Sequence, residues 1–335
     1  MNNPDAAPLQ RKDLDLLAVI QSDFPIETRP FKKIANNIGR SEREVIDAVG
    51  LLKKNGTIRT FGPVFDARSL GYTSTLVAAA VEKDYIDELA HEMSGINEIT
   101  HCYLRDQDLN VWFTISALNR GSIDTIIEWV SRFSGVSRIL DLPSQKVYKI
   151  NAVFGTSGDV RQVRRHTEAV HPFNEQDRNL VKLLQDDFPL VDEPFKVISG
   201  QSGSDESHII ETINDWLASG VIRRFGARLN HLRTGYTENA MVVWKCDDVD
   251  ELGHKCSELP YVSHCYRRKQ YSDWPYELYT MVHARSPEEL DGLFIEMKKL
   301  AANAVYISLR TVRELKKTSM KYFMENGIWD TPLHD

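Results

Sequence analysis

The chain has 335 residues, of which 42% are hydrophobic and 27% charged, and its formal net charge is −7. That length exceeds one ordinary domain, and the composition is typical of a folded protein. The negative balance gives no general attraction to nucleic acid. The longest apolar run, Leu76 to Val81, is too short to cross a bilayer, and the N-terminus lacks the apolar core of a signal peptide. The four cysteines have no CxxC spacing, so we expect a cytoplasmic protein with reduced thiols and neither a zinc site nor disulfides.

The first elements along the chain predict a helix-turn-helix with a wing. A helix is expected over residues 14–21, and a second follows Pro30. Ser41 is the predicted N-cap of a third helix, with Glu44 completing a capping box. Gly56 ends that helix, and an extended segment follows. The apolar residues of the third helix recur at helical spacing: Val45, Ile46, Val49 and Leu52.

A different pattern follows the wing. Strand-like residues 73–81 precede a helix at 84–93, and two strands flank His101. A second helix at 123–133 and a final strand close the segment. The order β-α-β-β-α-β is typical of a ferredoxin-like domain.

The second half of the chain repeats these landmarks in the same order. Asp186-Asp-Phe-Pro echoes Ser22-Asp-Phe-Pro, and Ser219-Gly-Val-Ile-Arg-Arg-Phe-Gly echoes Asn55-Gly-Thr-Ile-Arg-Thr-Phe-Gly. Val262-Ser-His-Cys-Tyr likewise matches Ile99-Thr-His-Cys-Tyr. The fold class is therefore α+β, a tandem duplication of a winged helix-turn-helix plus a ferredoxin-like βαββαβ domain. The predicted segments are winged helix 1 at 1–65, αβ domain 1 at 66–155, a linker at 156–175, winged helix 2 at 176–230, and αβ domain 2 with a C-terminal tail at 231–335.

Strand alternation gives the His-Cys-Tyr motifs a chemical meaning. It predicts that one face of the first strand carries Ile99, His101, Tyr103 and Arg105, and that the matching face in the second copy carries Val262, His264, Tyr266 and Arg268. Imidazole, phenol and guanidinium groups suit the wall of a polar pocket. The alternative for each histidine is a hydrogen-bonded structural role.

The charges argue against a DNA-reading helix. The side-chain charges of residues 41–54 sum to zero, and residues 204–217 carry four acidic and no basic side chains. Phosphate neutralisation supplies most of the affinity for DNA, so the second helix should repel a duplex. Positive charge gathers elsewhere, and paired hydrogen bonds from arginine suit carboxylates. The basic residues of the second half form a cluster in the sequence: Arg223, Arg224, Arg228, Arg233, Arg267, Arg268 and Lys269.

These motifs together carry a family resemblance. The chain resembles the Lrp/AsnC regulators and, more closely, the siroheme decarboxylases, in a form that fuses two subunits head to tail. The residues that carry the closer resemblance are Arg223-Arg-Phe-Gly-Ala-Arg-Leu-Asn-His231, Gly235-Tyr236, Val262-Ser-His-Cys-Tyr266 and Asp273-Trp-Pro-Tyr-Glu-Leu-Tyr279. The resemblance implies conversion of siroheme to 12,18-didecarboxysiroheme, for haem d1 or alternative haem biosynthesis. It also implies that the two halves pair within one chain, without excluding a homo-oligomer.

Candidate site residues follow from both arguments. Histidine is the side chain best suited to giving a proton near neutral pH. The predicted catalytic residues are His101, His231 and His264. The predicted substrate-binding residues are Arg59, Arg223, Arg224, Arg228, Arg233, Tyr103, Tyr266, Arg267, Trp274 and Tyr276. We expect no cofactor beyond the siroheme substrate itself.

The second half is favoured as the main substrate side. His231 stands where the first copy has Ala67, and about four extra residues surround Trp274. The sequence leaves two questions open: whether the chain has one active site or two, and whether a histidine binds the siroheme iron. The alternative function is a ligand-sensing regulator that binds DNA, and a third is a siroheme carrier without catalysis.

Overall fold

The computed structural model describes residues 11–22, 24–150, 171–229, 238–300 and 303–324. The candidates His231 and Arg233, and the predicted linker up to residue 170, lie outside these ranges. The described helices are α1 Arg11–Ser22, α2 Pro30–Ile38, α3 Glu42–Lys54, α4 Ile86–Ser94, α5 Arg120–Ser131, α6 Glu175–Leu184, α7 Pro194–Ser202, α8 Glu206–Ser219, α9 Val249–Glu258 and α10 Pro287–Lys299. The described strands are β1 Ile58–Phe65, β2 Thr73–Val81, β3 Ile99–Arg105, β4 Val111–Ala117, β5 Val136–Ile150, β6 Ile222–Leu229, β7 Glu238–Lys245, β8 Val262–Arg268, β9 Leu278–Ala284 and β10 Val305–Lys317.

The element order confirms the α+β duplication. Each copy runs through three helices and one strand, and then through strands and helices in the order β-α-β-β-α-β. The chain divides into two compact units that cut across the copies. The helix-turn-helix unit holds described residues 11–71 and 171–229, and the barrel unit holds 72–150 and 238–324.

The helix-turn-helix unit is built around phenylalanines from the repeated motifs. Ser41 caps α3 in the predicted capping box with Glu44. Phe24 lies 5.6 Å from Phe188 and 5.5 Å from Phe225, measured between ring centroids. The whole cluster is buried and draws three rings from each copy: Phe24, Phe31, Phe61, Phe188, Phe195 and Phe225. Neither copy closes this core alone.

The predicted wings are extended, as expected, but each copy supplies a single strand. β1 and β6 pair antiparallel with each other, and Gly62 lies opposite Gly226 at the centre of the pairing. The wing is therefore a two-stranded ribbon shared by the copies. Both glycines have φ near +150°, a conformation that side chains rarely adopt.

The barrel unit is a closed sheet of eight strands in the order β10-β3-β4-β2-β5-β8-β9-β7. Within each copy the four strands have ferredoxin-like order. The long strands β5 and β10 join the copies: β5 pairs first with β2 and then with β8, and β10 pairs first with β7 and then with β3. This exchange leaves no open strand edge among the described strands of the barrel.

One lysine on each of the long strands β5 and β10 donates hydrogen bonds to backbone carbonyl groups of the other copy. Lys316 Nζ donates to the carbonyl oxygens of Met93, in the last turn of α4, and Ile96, just beyond it, at 3.0 and 2.6 Å. Lys149 Nζ donates to the carbonyl of Leu259 beyond α9, at 2.7 Å. These cations compensate carbonyl groups that helix ends leave without intrahelical partners.

Three apolar layers fill the barrel unit. One lies between the first-copy strands and helices α4 and α5, and a second lies between the second-copy strands and α9 and α10. The third lies inside the barrel, where both copies contribute. Among its members are Trp112, Leu142, Trp274, Tyr279 and Leu309. No helix in the described part of the chain is long and apolar enough to span a membrane.

Gly226 offers a test of the shared ribbon. A Cβ atom at this position would overlap the carbonyl oxygen of Ile20 in α1, whereas a Cβ at Gly62 would sit 3.4 Å from the carbonyl oxygen of Leu184. Both substitutions carry the backbone strain, but only the first adds a backbone collision. We expect Gly226→Ala to lower the free energy of unfolding by about 2 kcal/mol or more. Gly62→Ala should cost about 1 kcal/mol, from strain alone.

Chemical denaturation of the two variants and the wild type measures this difference. Equal losses would contradict the close packing of α1 on β6.

Candidate active site

The two His-Tyr-Arg stripes lie inside the barrel, one on β3 and one on β8. The first stripe is His101, Tyr103 and Arg105, and the second stripe is His264, Tyr266 and Arg268. The intervening Cys102 and Cys265 face the outer cores beneath the helices. The alternation predicted from the sequence therefore places both stripes correctly.

Ile99 and Val262 were predicted on the same faces as the histidines, and that prediction is wrong. A register shift separates Ile99 from His101, and another separates Val262 from His264. Such an irregularity inserts a residue and breaks the strict alternation of side chains. Ile99 and Val262 consequently join the outer cores.

The second stripe places a cation beside two aromatic rings. The rings of His264 and Tyr266 are stacked with centroids 6.1 Å apart. The guanidinium carbon of Arg268 lies 4.8 Å from the centroid of Tyr266 and 5.7 Å from that of Tyr279. These are cation–π distances, and they orient the guanidinium along the inner wall.

Arg268 is incompletely satisfied by the protein. One terminal nitrogen donates to the carbonyl oxygen of Leu142 at 2.7 Å. Its buried Nε–H has no hydrogen-bond partner, and no carboxylate forms an ion pair with it among the described residues. Burial lowers the pKa of Arg268 because desolvation disfavours the charged form. An anion at this position would satisfy both the donor and the charge.

The first stripe repeats this geometry. His101 and Tyr103 are stacked at 6.4 Å, and Arg105 donates to the carbonyl of Leu309 at 2.7 Å. Burial lowers the pKa of Arg105 to about 10. Its Nε atom is also buried without a hydrogen-bond partner in the described structure.

The neighbouring strands distinguish the stripes. Opposite the first stripe, β10 places Lys317 in register with His101 and Glu314 with Tyr103. Lys317 and Glu314 form an ion pair at 3.3 Å. Opposite the second stripe, β5 places Ile150 in register with His264 and Val147 with Tyr266. Directly opposed residues share a face, so the first stripe has a charged neighbour and the second an apolar one.

The segment between β8 and β9 packs into the barrel. Trp274 is only 8% exposed, lies 5.9 Å from Trp112, and donates its indole N–H to Tyr279 at 2.8 Å. Tyr276 contacts the Trp274 ring at 4.9 Å. Tyr271 donates to the carbonyl oxygen of Asp141 at 2.7 Å. The extra residues of the second copy therefore complete the inner core.

Arg267 lies on the opposite face of β8 from His264. It forms an ion pair with Glu277 at 2.9 Å and approaches Asp250 of α9 to 4.0 Å. The structure therefore gives this predicted ligand residue acidic partners outside the inner wall.

The remaining described arginine candidates belong to the helix-turn-helix unit. Arg224 donates to the carbonyl oxygens of Gln21 and Ala227 at 2.8 and 2.9 Å, and burial lowers its pKa to about 10. Arg228 donates to the hydroxyl of Thr60 at 2.6 Å. Arg223 approaches Asp66 to 3.8 Å, and Arg59 is exposed on β1. At least Arg224 has a structural role, because it binds backbone carbonyls within this unit.

Comparisons with known proteins assign both units. A family profile described as an AsnC-like ligand binding domain matches residues 69–149 and 233–316. A profile described as a siroheme decarboxylase NirDL-like HTH domain matches residues 13–59 and 177–223. The siroheme decarboxylase of Hydrogenobacter thermophilus is 30% identical over 315 residues, covering 92% of this chain and 94% of that protein. The chain belongs to the siroheme decarboxylase family.

Two further relatives show how the family is assembled. The siroheme decarboxylase beta subunit of Desulfovibrio desulfuricans is 40% identical over 156 residues, which cover 46% of this chain and 98% of that subunit. The crystal structure of the siroheme decarboxylase NirDL has a TM-score of 0.74 and 28% identity, over 94% of this chain and 95% of that one. The same relative is also known in co-complex with an iron-uroporphyrin III analogue. One subunit of a separate-chain siroheme decarboxylase thus corresponds to one copy here.

The list of site residues drawn from the sequence omits several groups that the barrel brings together. Arg105 and Arg268 were located by strand alternation but were not among the selected ligands. Ser263 and His283 contact the His264 side of the barrel and were not singled out. No sequence signal links His283 to His264, because they meet only through the pairing of β8 with β9.

Trp274 provides a test of the inner core. Because its indole is buried against Trp112, Trp274→Ala should lower the free energy of unfolding by about 3–5 kcal/mol. Trp274→Phe keeps a ring but loses the hydrogen bond to Tyr279, and should cost about 1 kcal/mol for that bond.

Denaturant titration of both variants gives the comparison. A Trp274→Ala variant as stable as wild type would mean that this ring lies outside the core.

Proposed function

We propose that this protein is a siroheme decarboxylase that removes CO2 from the C12 and C18 acetate groups of siroheme. The product is 12,18-didecarboxysiroheme, an intermediate for haem d1 or alternative haem biosynthesis. Family membership supports the reaction class. One feature of the barrel carries the proposal: the buried, incompletely bonded guanidinium of Arg268 lies over the ring of Tyr266, which in turn stacks on His264.

The second stripe suits a flat macrocycle with carboxylate side chains. Ile150 and Val147 provide an apolar neighbour for the ring, while the Nε–H of Arg268 can bind a carboxylate oxygen. Such an anion would also offset the desolvation that lowers the pKa of Arg268. A related siroheme decarboxylase in complex with an iron-uroporphyrin III analogue is in keeping with this ligand class.

The chemistry requires an electron sink and a proton donor. When the bond between the acetate carboxylate and its methylene breaks, the electron pair remains on the methylene carbon. Conjugation with the macrocycle spreads this charge, and one proton converts the methylene to a methyl group. His264 would give that proton, because imidazole exchanges protons near neutral pH. The reaction in this form uses no cofactor besides the macrocycle of the substrate.

The second copy is proposed as the catalytic half. The ion pair of Lys317 with Glu314 replaces the apolar neighbour in the first copy, so a macrocycle would have to displace a charged pair there. Desolvating such a pair opposes binding of an apolar ring face. The first copy would then support the fold of the second, with His101 and Tyr103 as structural counterparts.

The electrostatics of the helix-turn-helix unit disfavour the regulator alternative. The third helix of the second copy, α8, has exposed Glu211 and Asp215 and buries Ile209, Ile213 and Trp216. In α3, Arg43 is paired with Asp47 at 3.0 Å. Neither helix offers a net positive face to phosphates.

His264 is the first residue to test. Under anaerobic conditions with siroheme, wild type should release two molecules of CO2 per siroheme, measured by mass spectrometry of the tetrapyrrole. His264→Ala should slow this about 100-fold, as expected for loss of a general acid. His101→Ala is the matched first-copy variant and should slow it less than about threefold, in the range of a non-catalytic neighbour. His231→Ala tests the remaining predicted acid.

Each alternative has its own signature in the same experiment. A carrier would change the Soret absorption of siroheme without loss of mass. A regulator would leave siroheme intact and shift duplex DNA in a gel at low salt. Wild-type rates in all three histidine variants would contradict the assignment of histidine as the acid.

Arg268→Met tests the observation that carries the proposal. Removing this guanidinium should weaken siroheme binding about tenfold or more, the equivalent of one charge-assisted hydrogen bond. The free energy of unfolding should change by only about 1 kcal/mol, because an incompletely paired buried charge is removed together with one hydrogen bond.

Absorbance titration with siroheme measures the affinity, and Arg105→Met is the matched control with little effect on it. A larger loss of affinity in Arg105→Met than in Arg268→Met would move the site to the first copy.

A further inference from the structure

A buried serine links His264 to a second histidine. The hydroxyl oxygen of Ser263 lies 2.8 Å from Nδ1 of His264 and 2.8 Å from Nε2 of His283. A third partner, the carbonyl oxygen of Met281, is more distant, at 3.4 Å. Ser263 is 4% exposed and His283 8% exposed, so solvent scarcely reaches the two contacts. We name Ser263 and His283 together with His264 the His-Ser-His chain.

The irregularity in β8 creates this arrangement. The register shift between Val262 and His264 interrupts the alternation of side chains at Ser263. The serine can therefore contact the imidazole of the residue next to it in sequence. His283 reaches the same hydroxyl from β9, where its backbone N–H donates to the carbonyl of Tyr261 at 3.1 Å.

The first copy has only part of this chain. Thr100 supplies an equivalent hydroxyl, 2.9 Å from Nδ1 of His101. The position of His283 is occupied by Ser116, whose backbone N–H donates to Glu98 just as that of His283 donates to Tyr261. A second imidazole therefore distinguishes the two copies at otherwise matching places.

The difference has a chemical consequence. A serine hydroxyl has one proton to donate, whereas a neutral imidazole has one nitrogen that donates and one that accepts. The contact of Ser263 with Nε2 of His283 is much shorter than that with the carbonyl oxygen of Met281, so we assign the Ser263 proton to His283. The serine lone pairs then face Nδ1 of His264. The serine then accepts a hydrogen bond from an Nδ1–H group, which fixes the proton at that nitrogen.

We propose that Ser263 and His283 are positioning residues that hold the Nδ1 proton of His264 and reserve its Nε2 nitrogen for proton exchange. This inference rests on the proposed role of His264 as the proton donor. When Nε2 gives its proton to the substrate methylene, the imidazolium becomes a neutral ring that retains Nδ1–H. The hydrogen bonds to Ser263 and His283 are the same before and after the transfer, so no reorganisation accompanies it.

Four variants test the chain. Ser263→Ala removes the central hydroxyl, and His283→Ser introduces the residue found in the first copy. Ser263→Thr keeps a hydroxyl, as Thr100 does beside His101, and Thr100→Ala is the matched change in the first copy. Siroheme turnover gives kcat, absorbance titration gives Kd, and thermal unfolding followed by circular dichroism checks the fold.

We expect Ser263→Ala and His283→Ser to lower kcat about tenfold or more while Kd changes less than about threefold, as for loss of an orienting group behind a functional histidine. Ser263→Thr should recover most of kcat, and Thr100→Ala should leave kcat within about twofold of wild type. Wild-type kcat in both Ser263→Ala and His283→Ser would overturn the proposal. So would a Kd that rises in proportion to the fall in kcat.

The position of the proton can be measured without turnover. In protein labelled with ¹⁵N-histidine, the imidazole shifts of neutral His264 should report a proton on Nδ1 in the wild type and a mixed or reversed tautomer in His283→Ser. A wild-type ring protonated at Nε2 alone would contradict the chain even if decarboxylation occurs. Correct tautomers in a protein that releases no CO2 would instead contradict the proposed function.

Discussion

The barrel depends on the exchange of strands β5 and β10 between the two copies. A four-stranded ferredoxin-like sheet has two edges whose backbone N–H and C=O groups need partners. Each long strand begins in its own sheet and ends paired to the other copy, so that both pairs of edges are covered at once. The same exchange encloses the inner core and places the two stripes on its wall.

Joining the copies in one chain permits them to diverge. In a symmetric pair of identical subunits, any change in one site appears in the other. Here the strand neighbour of His101 is Lys317 while that of His264 is Ile150. On the adjacent strands, β4 carries Ser116 where β9 carries His283. One copy can therefore specialise in chemistry while the other maintains the complementary half of the barrel.

The arginines illustrate how charge acquires its role from surroundings. Arg224 binds two backbone carbonyls and so serves the packing of α1 on β6. Arg267 is neutralised by Glu277 on the outer face of β8. Arg268, its neighbour in sequence, has no carboxylate partner in the described structure and retains a buried donor. Among the described members of the basic cluster, Arg224 and Arg267 thus have structural partners, whereas Arg268 combines a buried donor with the lack of an ion pair.

The sequence by itself determined the duplication, the element order and the His-Tyr-Arg alternation, because these depend on local periodicity, capping and repeated motifs. It also located the repeated phenylalanines but not their common core, which forms only when both copies contribute rings. The register shifts after Ile99 and Val262 could not be predicted from the sequence, because such a shift is set by the partner strand. The pairing of β1 with β6, the covering of the sheet edges and the meeting of His283 with Ser263 were decided by tertiary structure. Each joins residues far apart in the chain, and the free energy that selects such contacts comes from burial and hydrogen bonding across strands rather than from any local pattern.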